Sequence, residues 1–337
     1  MNDQDRPRVA VIGAGHRGRG WAALALSRGW PVALYDPESQ LLQKAWTEVG
    51  DRIRRLTDLG RADPLVAAGA VDRLRIGRSL LHAVGDADWV LDVMPLDLNA
   101  KQRLLEQIEQ VKRPDALTVS FTGTMSTSQL CGRLRHPGKF LVGYSMDPVE
   151  LIPLVELIPG PTTDPLTTAQ VSSWLERLDR RTVVLRREVP GNATMRIAAA
   201  VWRECIALVL DGVMDLEDVD RLVSLGPAIA WSVGGPYLSQ VMNAGAQGPG
   251  FFLNEILQTH EELWGKLASW RHLSTEDRQR LVKMVERAYD GEPADLREQR
   301  DKFIARMLQV MEEHENREIT LWDSDLPTLE SDPPTLT

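Results

Sequence analysis

The chain has 337 residues, of which 43% are hydrophobic and 26% are charged. This length and composition are typical of a globular protein of roughly two domains, and they exclude collagen, a simple coiled coil and full disorder. Its 39 lysines and arginines against 48 aspartates and glutamates give a net charge of −9, which argues against duplex DNA or an anionic membrane as a partner.

The cellular location is suggested by what the sequence lacks. No apolar run approaches the ~20 residues that a membrane-spanning helix needs, and the polar stretch 1–7 does not resemble a secretory signal. Two cysteines, Cys131 and Cys205, make no disulfide framework and are expected to be free thiols in a reducing compartment. We therefore expect a cytoplasmic protein that binds neither nucleic acid nor membrane.

The first two thirds of the chain alternate between strand and helix patterns. Short runs rich in β-branched residues predict strands at 9–12, 31–36, 74–79, 88–95, 117–121, 140–144, 154–158 and 182–185. Helical spacing of apolar residues predicts helices at 21–28, 40–59 and 98–111. Such alternation predicts a Rossmann-type, doubly wound α/β sheet that is mainly parallel and covered on both faces.

From residue 193 onward only helical periodicity remains. Helices are predicted at 193–213, 215–225, 237–243, 254–268, 275–289 and 296–313. The shift near Pro190-Gly191 divides the chain into a sheet domain at 1–188 and an all-helical C-terminal domain at 189–317. The remaining stretch, 318–337, is rich in threonine, proline and acids and is predicted to be a disordered acidic tail.

A glycine-rich turn follows the first strand and opens the first helix. In Gly13-x-Gly15-x-x-Gly18, the glycines allow a tight turn, close approach of a pyrophosphate and close packing of helix on strand. Asp36, at the end of the second strand, would accept hydrogen bonds from a ribose 2′-hydroxyl and repel a 2′-phosphate. The motif predicts bound NAD rather than NADP. The alternative is a tight turn in a Rossmann-like fold that has lost its ligand.

Three strings place these motifs in a family context. They are the glycine-rich turn, the stretch 88–95 (DWVLDVMP), and the stretch 142–148 (VGYSMDP) followed by 152–157 (IPLVEL). Together they resemble the 3-hydroxyacyl-CoA dehydrogenase family over about residues 8–315. Within the family, the chain resembles the lambda-crystallin and L-gulonate 3-dehydrogenase branch. This resemblance lies in the IPLVEL segment, in Gly212-Val213 followed by 218–220, and in 232–237.

The resemblance implies a small-molecule dehydrogenase. It implies that an NAD-binding Rossmann domain is followed by a helical domain for substrate binding and homodimerisation. It also implies that a secondary alcohol is oxidised, with a histidine taking the hydroxyl proton and a glutamate twelve residues later orienting that histidine. The glutamate is present as Glu156, but the position twelve residues earlier is Tyr144.

The other functional positions implied by the resemblance are also changed. The serine position falls on Gly123, beside Thr122 and Thr124, and the asparagine position falls on Met195. Where the family has an asparagine before a proline, this chain has Asp147. The candidate catalytic residues are therefore Tyr144, Glu156, Thr124, Asp147 and Met195. Asp92 and Lys101 are expected near the nicotinamide half of the cofactor.

Replacing histidine by tyrosine changes the chemistry that the site can perform. An unperturbed tyrosine has a pKa near 10, so using Tyr144 as a base at pH 7 costs about 4 kcal/mol, and a nearby Glu156 carboxylate adds to that cost. Neutral tyrosine can still donate a proton, so reduction is favoured over oxidation. The structural alternatives are that Tyr144 and Met195 simply pack and that Glu156 accepts a hydrogen bond from Tyr144 or a helix N-terminus.

Other candidate groups are few. Among the six histidines, His260 is the best substitute base. No histidine pair and no histidine–cysteine set has metal-ligand spacing, so no metal is expected.

Three hypotheses about function remain open. The first is an NAD-dependent, reductive oxidoreductase for a 3-oxo or 3-hydroxy acyl-type compound or an imine analogue. The second is a family member repurposed for cyclisation, dehydration or condensation. The third is a silent NAD-binding protein.

Overall fold

The computed structural model describes residues 6–95, 97–251, 254–255, 257–289 and 292–315. The predicted tail at 318–337 lies outside these residues. The chain divides into two compact units: the residues up to Ala199 together with Arg297–Ala305, and Ala200–Leu296 together with the residues from Arg306 on.

The first unit is built around one eight-stranded sheet. Its strands are β1 (Val9–Ile12), β2 (Val32–Tyr35), β3 (Leu74–Ile76), β4 (Trp89–Asp92), β5 (Leu117–Phe121), β6 (Phe140–Ser145), β7 (Leu154–Ile158) and β8 (Arg181–Val184). Their order is β3-β2-β1-β4-β5-β6-β7-β8. Neighbouring strands are parallel except β6 and β7, which are antiparallel. The predicted Rossmann-type, mainly parallel sheet is confirmed.

Helices cover this sheet on both faces. They are α1 (His16–Ser27), α2 (Ser39–Asp58), α3 (Pro64–Ala67), α4 (Leu80–Val84), α5 (Leu98–Val111), α6 (Thr127–Cys131) and α7 (Pro165–Arg177). Alternate residues of β1 enter opposite cores, because successive strand side chains point to opposite faces. Val9 and Val11 join one hydrophobic cluster, and Ala10 and Ile12 join the other.

From Ala193 on, the described residues form helices and connecting loops without a strand, as predicted. The helices are α8 (Ala193–Leu210), α9 (Leu216–Leu225), α10 (Pro227–Ser232), α11 (Gly235–Ala244), α12 (Gly248–Phe251), α13 (Leu257–Trp264), α14 (Thr275–Ala288) and α15 (Pro293–Glu315). No helix in the described ranges combines the length and apolarity needed to cross a membrane.

The helix α7 was not predicted from the sequence. Two threonines and two serines interrupt its apolar pattern between 167 and 173, and such residues favour caps and turns over helix interiors. The overlooked signal was its start, where Asp164 precedes Pro165 and accepts a 2.9 Å hydrogen bond from Leu166 N. An aspartate N-cap followed by proline is a strong helix-start pattern.

Candidate active site

The glycine-rich loop has the geometry that a dinucleotide requires. Gly13 has a φ of +113°, which favours glycine. A Cβ built on Gly18 would lie 1.7 Å from Gly13 O, so no larger residue fits between helix and strand there. A Cβ on Gly15 would meet open space, which leaves room for a ligand to approach the backbone.

The start of α1 and the side chain of Asp36 complete this loop. The N-terminus of α1 has no side-chain cap and no acidic residue in its first turn, so the helix start is suited to a phosphate. Asp36 is buried, and its carboxylate accepts hydrogen bonds from Ala14 N (2.7 Å) and Glu38 N (2.9 Å). Each carboxylate oxygen can accept a second bond, for which ribose hydroxyls are suitable donors. The residues present therefore fit a dinucleotide.

Asp92 and Lys101 form a buried ion pair, not a surface that a cofactor could contact directly. The Asp92 carboxylate is 2.7 Å from Lys101 Nζ and accepts a 2.6 Å hydrogen bond from Ser120 Oγ. Asp92 and Lys101 are 0% and 1% exposed. Asp92 also accepts a hydrogen bond from Met94 N, so the pair orders the turn after β4. That Asp92 and Lys101 contribute to cofactor binding remains a prediction. They would do so by ordering the backbone of the turn after β4.

Tyr144, Met195 and Gly123 lie together in the first unit. The half-buried Tyr144 hydroxyl donates a 3.0 Å hydrogen bond to Met195 Sδ. A Cβ built on Gly123 would lie 3.4 Å from Tyr144 Cε2 and 3.7 Å from Met195 Cγ. Three positions that the sequence analysis selected are thus brought into contact. By contrast, Thr124 is exposed in the loop after β5.

Glu156 lies opposite Tyr144 across β6 and β7 but binds the start of α8. The buried Glu156 carboxylate accepts hydrogen bonds from Ala193 N (2.7 Å), Thr194 N (2.9 Å) and Thr194 Oγ1 (2.7 Å). Of the two structural alternatives for Glu156, the contacts match the helix N-terminus. A carboxylate there is stabilised by the free backbone N–H groups and by the helix dipole.

Asn192 is a residue that the sequence analysis did not select. Its Oδ1 accepts a 2.8 Å hydrogen bond from Met195 N, and its Nδ2 donates to Gly123 O at 3.4 Å. Asn192 has a φ of +45°, a conformation that asparagine tolerates better than most residues. The signal was an asparagine immediately before a helical pattern and after a glycine.

Asp147 is paired with an arginine from the cofactor loop. Its Oδ1 lies 3.6 Å from Arg17 Nε. Arg17 Nη2 also donates hydrogen bonds to Ser145 O and, at 3.1 Å, to Ser145 Oγ. The Arg17 guanidinium carbon is 5.8 Å from the centroid of the Tyr144 ring. Sequence spacing alone does not reveal that Arg17 reaches the end of β6.

The surroundings of Tyr144 keep its phenol protonated at neutral pH. Burial raises the pKa of Tyr144 above its ordinary value of 10, Arg17 opposes this rise in pKa, and Asp147 and Glu156 add to it. A protonated phenol can donate a proton but cannot accept one as a base. His260, the alternative base, lies on α13 in the second unit.

The loop, the helix start and Asp36 define the first unit as a Rossmann dinucleotide-binding domain. The family profile described as "3-hydroxyacyl-CoA dehydrogenase, NAD binding domain" matches residues 8–189. The chain belongs to the 3-hydroxyacyl-CoA dehydrogenase family, as its sequence motifs indicated. It is an NAD-dependent oxidoreductase.

Similar proteins match along nearly the whole chain. L-carnitine dehydrogenase of Bacillus cereus is 30% identical over 315 residues, covering 93% of this chain and 95% of that protein. L-carnitine dehydrogenase of Streptomyces coelicolor is 30% identical over 311 residues, covering 90% and 94%. The solved structure of an NAD+-dependent dismutase, 5-formyl-3-hydroxy-2-methylpyridine 4-carboxylic acid 5-dehydrogenase, has a TM-score of 0.77 at 24% identity, covering 91% and 99%.

Proposed function

We propose that this enzyme works chiefly as a reductase of a 3-oxo acyl-type compound or an imine analogue, with Tyr144 as the proton donor. The observation that carries the proposal is the hydrogen bond from the Tyr144 hydroxyl to Met195 Sδ, made while Glu156 binds the start of α8. A thioether is a weak acceptor, so the phenol proton is held loosely and remains available for transfer.

The proposed chemistry is a two-electron reduction of a carbonyl or imine carbon. NADH, when bound, would supply the hydride; the substrate oxygen or nitrogen takes the Tyr144 proton, and water returns a proton to the phenolate. Asp36 and the glycine-rich loop would hold the cofactor, while Lys101 and Asp92 support the turn after β4. Oxidation would require Tyr144 to be ionised first, at a cost of about 4 kcal/mol at pH 7 for an unperturbed tyrosine; burial raises that cost.

The substrate class follows from the relatives and from the apolar contacts around Tyr144. L-carnitine is a 3-hydroxy acid, and relatives of this chain are named for its dehydrogenation. We place the enzyme in the lambda-crystallin-like branch, whose motifs it resembles. Gly123 and Met195 offer neither a hydroxyl nor an amide beside Tyr144. A substrate with apolar groups flanking its carbonyl fits these contacts better than a small polar hydroxy acid.

The test is NADH consumption against a panel of 3-oxo acids, 3-oxo thioesters and cyclic imines. We expect at least one class to be reduced, and the Tyr144→Phe variant to lose this activity while it still binds NADH. Product formation without NADH consumption would instead favour cyclisation, dehydration or condensation. NAD binding without any turnover would favour a silent homologue.

We further propose that the protein is a cytoplasmic homodimer, paired through the second unit. Large apolar side chains on α9, α10 and α11 are 41–82% exposed, namely Leu222, Leu225, Ile229, Trp231 and Tyr237. A cluster of this size on one unit is typical of a protein interface. The two free cysteines are consistent with a reducing compartment.

The dimer is tested by analytical ultracentrifugation. Leu225→Glu should yield monomers, whereas Arg54→Glu, on the exposed face of α2, should not change the mass. A wild-type chain that sediments as a monomer at micromolar concentration would refute the dimer.

A further inference from the structure

We propose that Arg17 is a positioning residue that holds the Tyr144 phenol in place and favours its ionisation as the proton leaves. The proposal rests on the function proposed above for Tyr144. Arg17 lies inside the Gly13-x-Gly15-x-x-Gly18 motif. One residue would therefore connect the cofactor-binding loop to the proton donor.

The Arg17 side chain contacts the end of β6 and the residues that follow it. Its Nη2 donates hydrogen bonds to the backbone oxygen and the hydroxyl of Ser145, and its Nε is 3.6 Å from Asp147 Oδ1. Its guanidinium carbon is 5.8 Å from the Tyr144 ring centroid, within the range of a cation–π contact. Ser145 is buried, so the anchor of the guanidinium is fixed.

Arg17 differs from an ordinary solvated arginine at a helix start. Its side chain is 29% exposed, whereas that of Arg54 on α2 is 73% exposed and pairs with Asp51 on its own helix. The partners of Arg17, Ser145 and Asp147, lie at the end of β6 and just after it, more than a hundred residues away in sequence. The backbone of Arg17 is also fixed, because neighbouring Gly18 packs against Gly13 O with no room for a Cβ.

The charges around Tyr144 give Arg17 a specific electrostatic role. Tyr144 is faced by Arg17 from α1, by Asp147 from the segment after β6, and by Glu156 from β7. Arg17 is the cation of this set, and the other two are carboxylates. When Tyr144 gives up its proton, negative charge develops on the phenol oxygen, and a fixed nearby cation stabilises it. The two carboxylates oppose that charge.

Asp147 has two opposing effects in this arrangement. Its carboxylate helps to orient the Arg17 guanidinium, and its negative charge disfavours the Tyr144 phenolate. The Arg17 contact with Ser145 does not depend on Asp147, so the guanidinium keeps an anchor when Asp147 is neutralised. Removing the charge of Arg17 and removing that of Asp147 should therefore shift the pKa of Tyr144 in opposite directions.

The experiment titrates Tyr144 directly. The chain has four tyrosines, so subtracting the alkaline ultraviolet titration of a Tyr144→Phe background isolates the Tyr144 phenolate. We expect Arg17→Met to raise the pKa of Tyr144 by roughly half a pH unit and Asp147→Asn to lower it. Arg17→Lys should restore part of the wild-type value, and Arg54→Met should leave it unchanged. A Tyr144 titration that is identical in wild type and Arg17→Met would overturn the proposal.

Kinetics separate this proposal from the function on which it rests. In the reductive direction, Arg17→Met should lower kcat by roughly threefold or more, with the KM for the carbonyl substrate little changed. An unchanged kcat would also count against the proposal. If the wild-type enzyme consumes no NADH but the titration still shifts, the reductase function fails while the Arg17 contact is supported. Thermal unfolding of each variant identifies any loss of fold.

Discussion

Tyr144 and Glu156 are directly paired across the antiparallel strands β6 and β7, yet their functional groups bind different partners. The Tyr144 hydroxyl donates to Met195 Sδ, and the Glu156 carboxylate accepts from the first residues of α8. The family resemblance predicts a histidine oriented by this glutamate. In this chain the glutamate holds a helix and the tyrosine keeps its proton, and the following predictions test that separation.

Restoring the expected dehydrogenase residues should increase alcohol oxidation. We expect the triple variant Tyr144→His, Met195→Asn, Gly123→Ser to oxidise 3-hydroxy substrates at pH 7 roughly 10²-fold faster than wild type, because imidazole is a better base than phenol at this pH. A serine Cβ at Gly123 fits at ordinary contact distance. The measurement is NADH formation. The control variant Tyr289→His, changed just after α14 in the second unit, should show no gain, and equal rates in wild type and the triple variant would contradict the interpretation.

Glu156 should contribute to stability through α8. Glu156→Gln keeps the shape but removes the charge that faces three donors at the helix start, so we expect the free energy of unfolding to fall by about 1–3 kcal/mol. Urea denaturation measures this change. Glu176→Gln, on the exposed side of α7, is the control and should change stability by less than about 0.5 kcal/mol. A Glu156→Gln variant as stable as the wild type would refute the capping role.

The buried pair of Lys101 and Asp92 predicts a strong, partner-dependent loss of stability. Lys101→Met leaves the Asp92 carboxylate buried without its cation and should cost about 3–5 kcal/mol in the free energy of unfolding. Adding Asp92→Asn should recover part of that loss, because the uncompensated charge is removed. Chemical denaturation of both variants tests the coupling, with the exposed Lys44→Met as control. Strictly additive changes in the free energy of unfolding would show that Lys101 and Asp92 are not coupled.

Asp36 should decide between the two nicotinamide cofactors. Asp36→Ser removes the carboxylate beside the loop, so we expect the kcat/KM ratio for NADPH over NADH to rise by roughly tenfold. Glu38→Gln, two residues away, removes an equal charge but keeps the backbone donor to Asp36, and should give a smaller change. An unchanged ratio in Asp36→Ser would assign the preference for NAD to another residue.

The pH dependence of reduction should follow the protonation of Tyr144. Since burial raises the pKa of this tyrosine above 10, its acid form persists throughout the neutral range and is lost only as the pH rises beyond that value. Reductive kcat should therefore show no Tyr144-linked change between roughly pH 6 and 9 and fall in more alkaline solution. An activity governed by a group titrating near 6.5 would indicate a histidine instead.

The sequence was sufficient for the architecture because its strongest patterns are local. The strand before Gly13, the acid at Asp36 and the change to helical periodicity near 193 each depend on neighbours in sequence. The helix α7 was missed because its threonines and serines interrupt the apolar pattern, although Asp164 before Pro165 could have been recognised as a helix start. Short helices such as α10 are too brief for a periodic signal to develop.

The candidate site was less predictable because its contacts are made across the fold. The family resemblance identified Tyr144, Met195 and Glu156 as candidate positions but could not show which of these side chains are in contact. The contact of Arg17 with Ser145 and Tyr144 joins two motifs far apart in sequence, and a pattern search treats each separately. Asp92 and Lys101 were expected only near the nicotinamide half of the cofactor, and their burial as an ion pair depends on how α5 packs against the sheet.

The attachment of Glu156 to α8 bears on how a function is assigned to a gene from a short sequence motif. The contacts of this glutamate with the start of α8 do not require a neighbouring histidine, so the residue can be present whichever reaction the site performs. A genome survey that scores the IPLVEL string alone would count such proteins as alcohol dehydrogenases. Checking two further positions would distinguish proteins like this one. They are the position of Tyr144, twelve residues before the glutamate, and the position of Arg17, immediately before the third glycine of the loop.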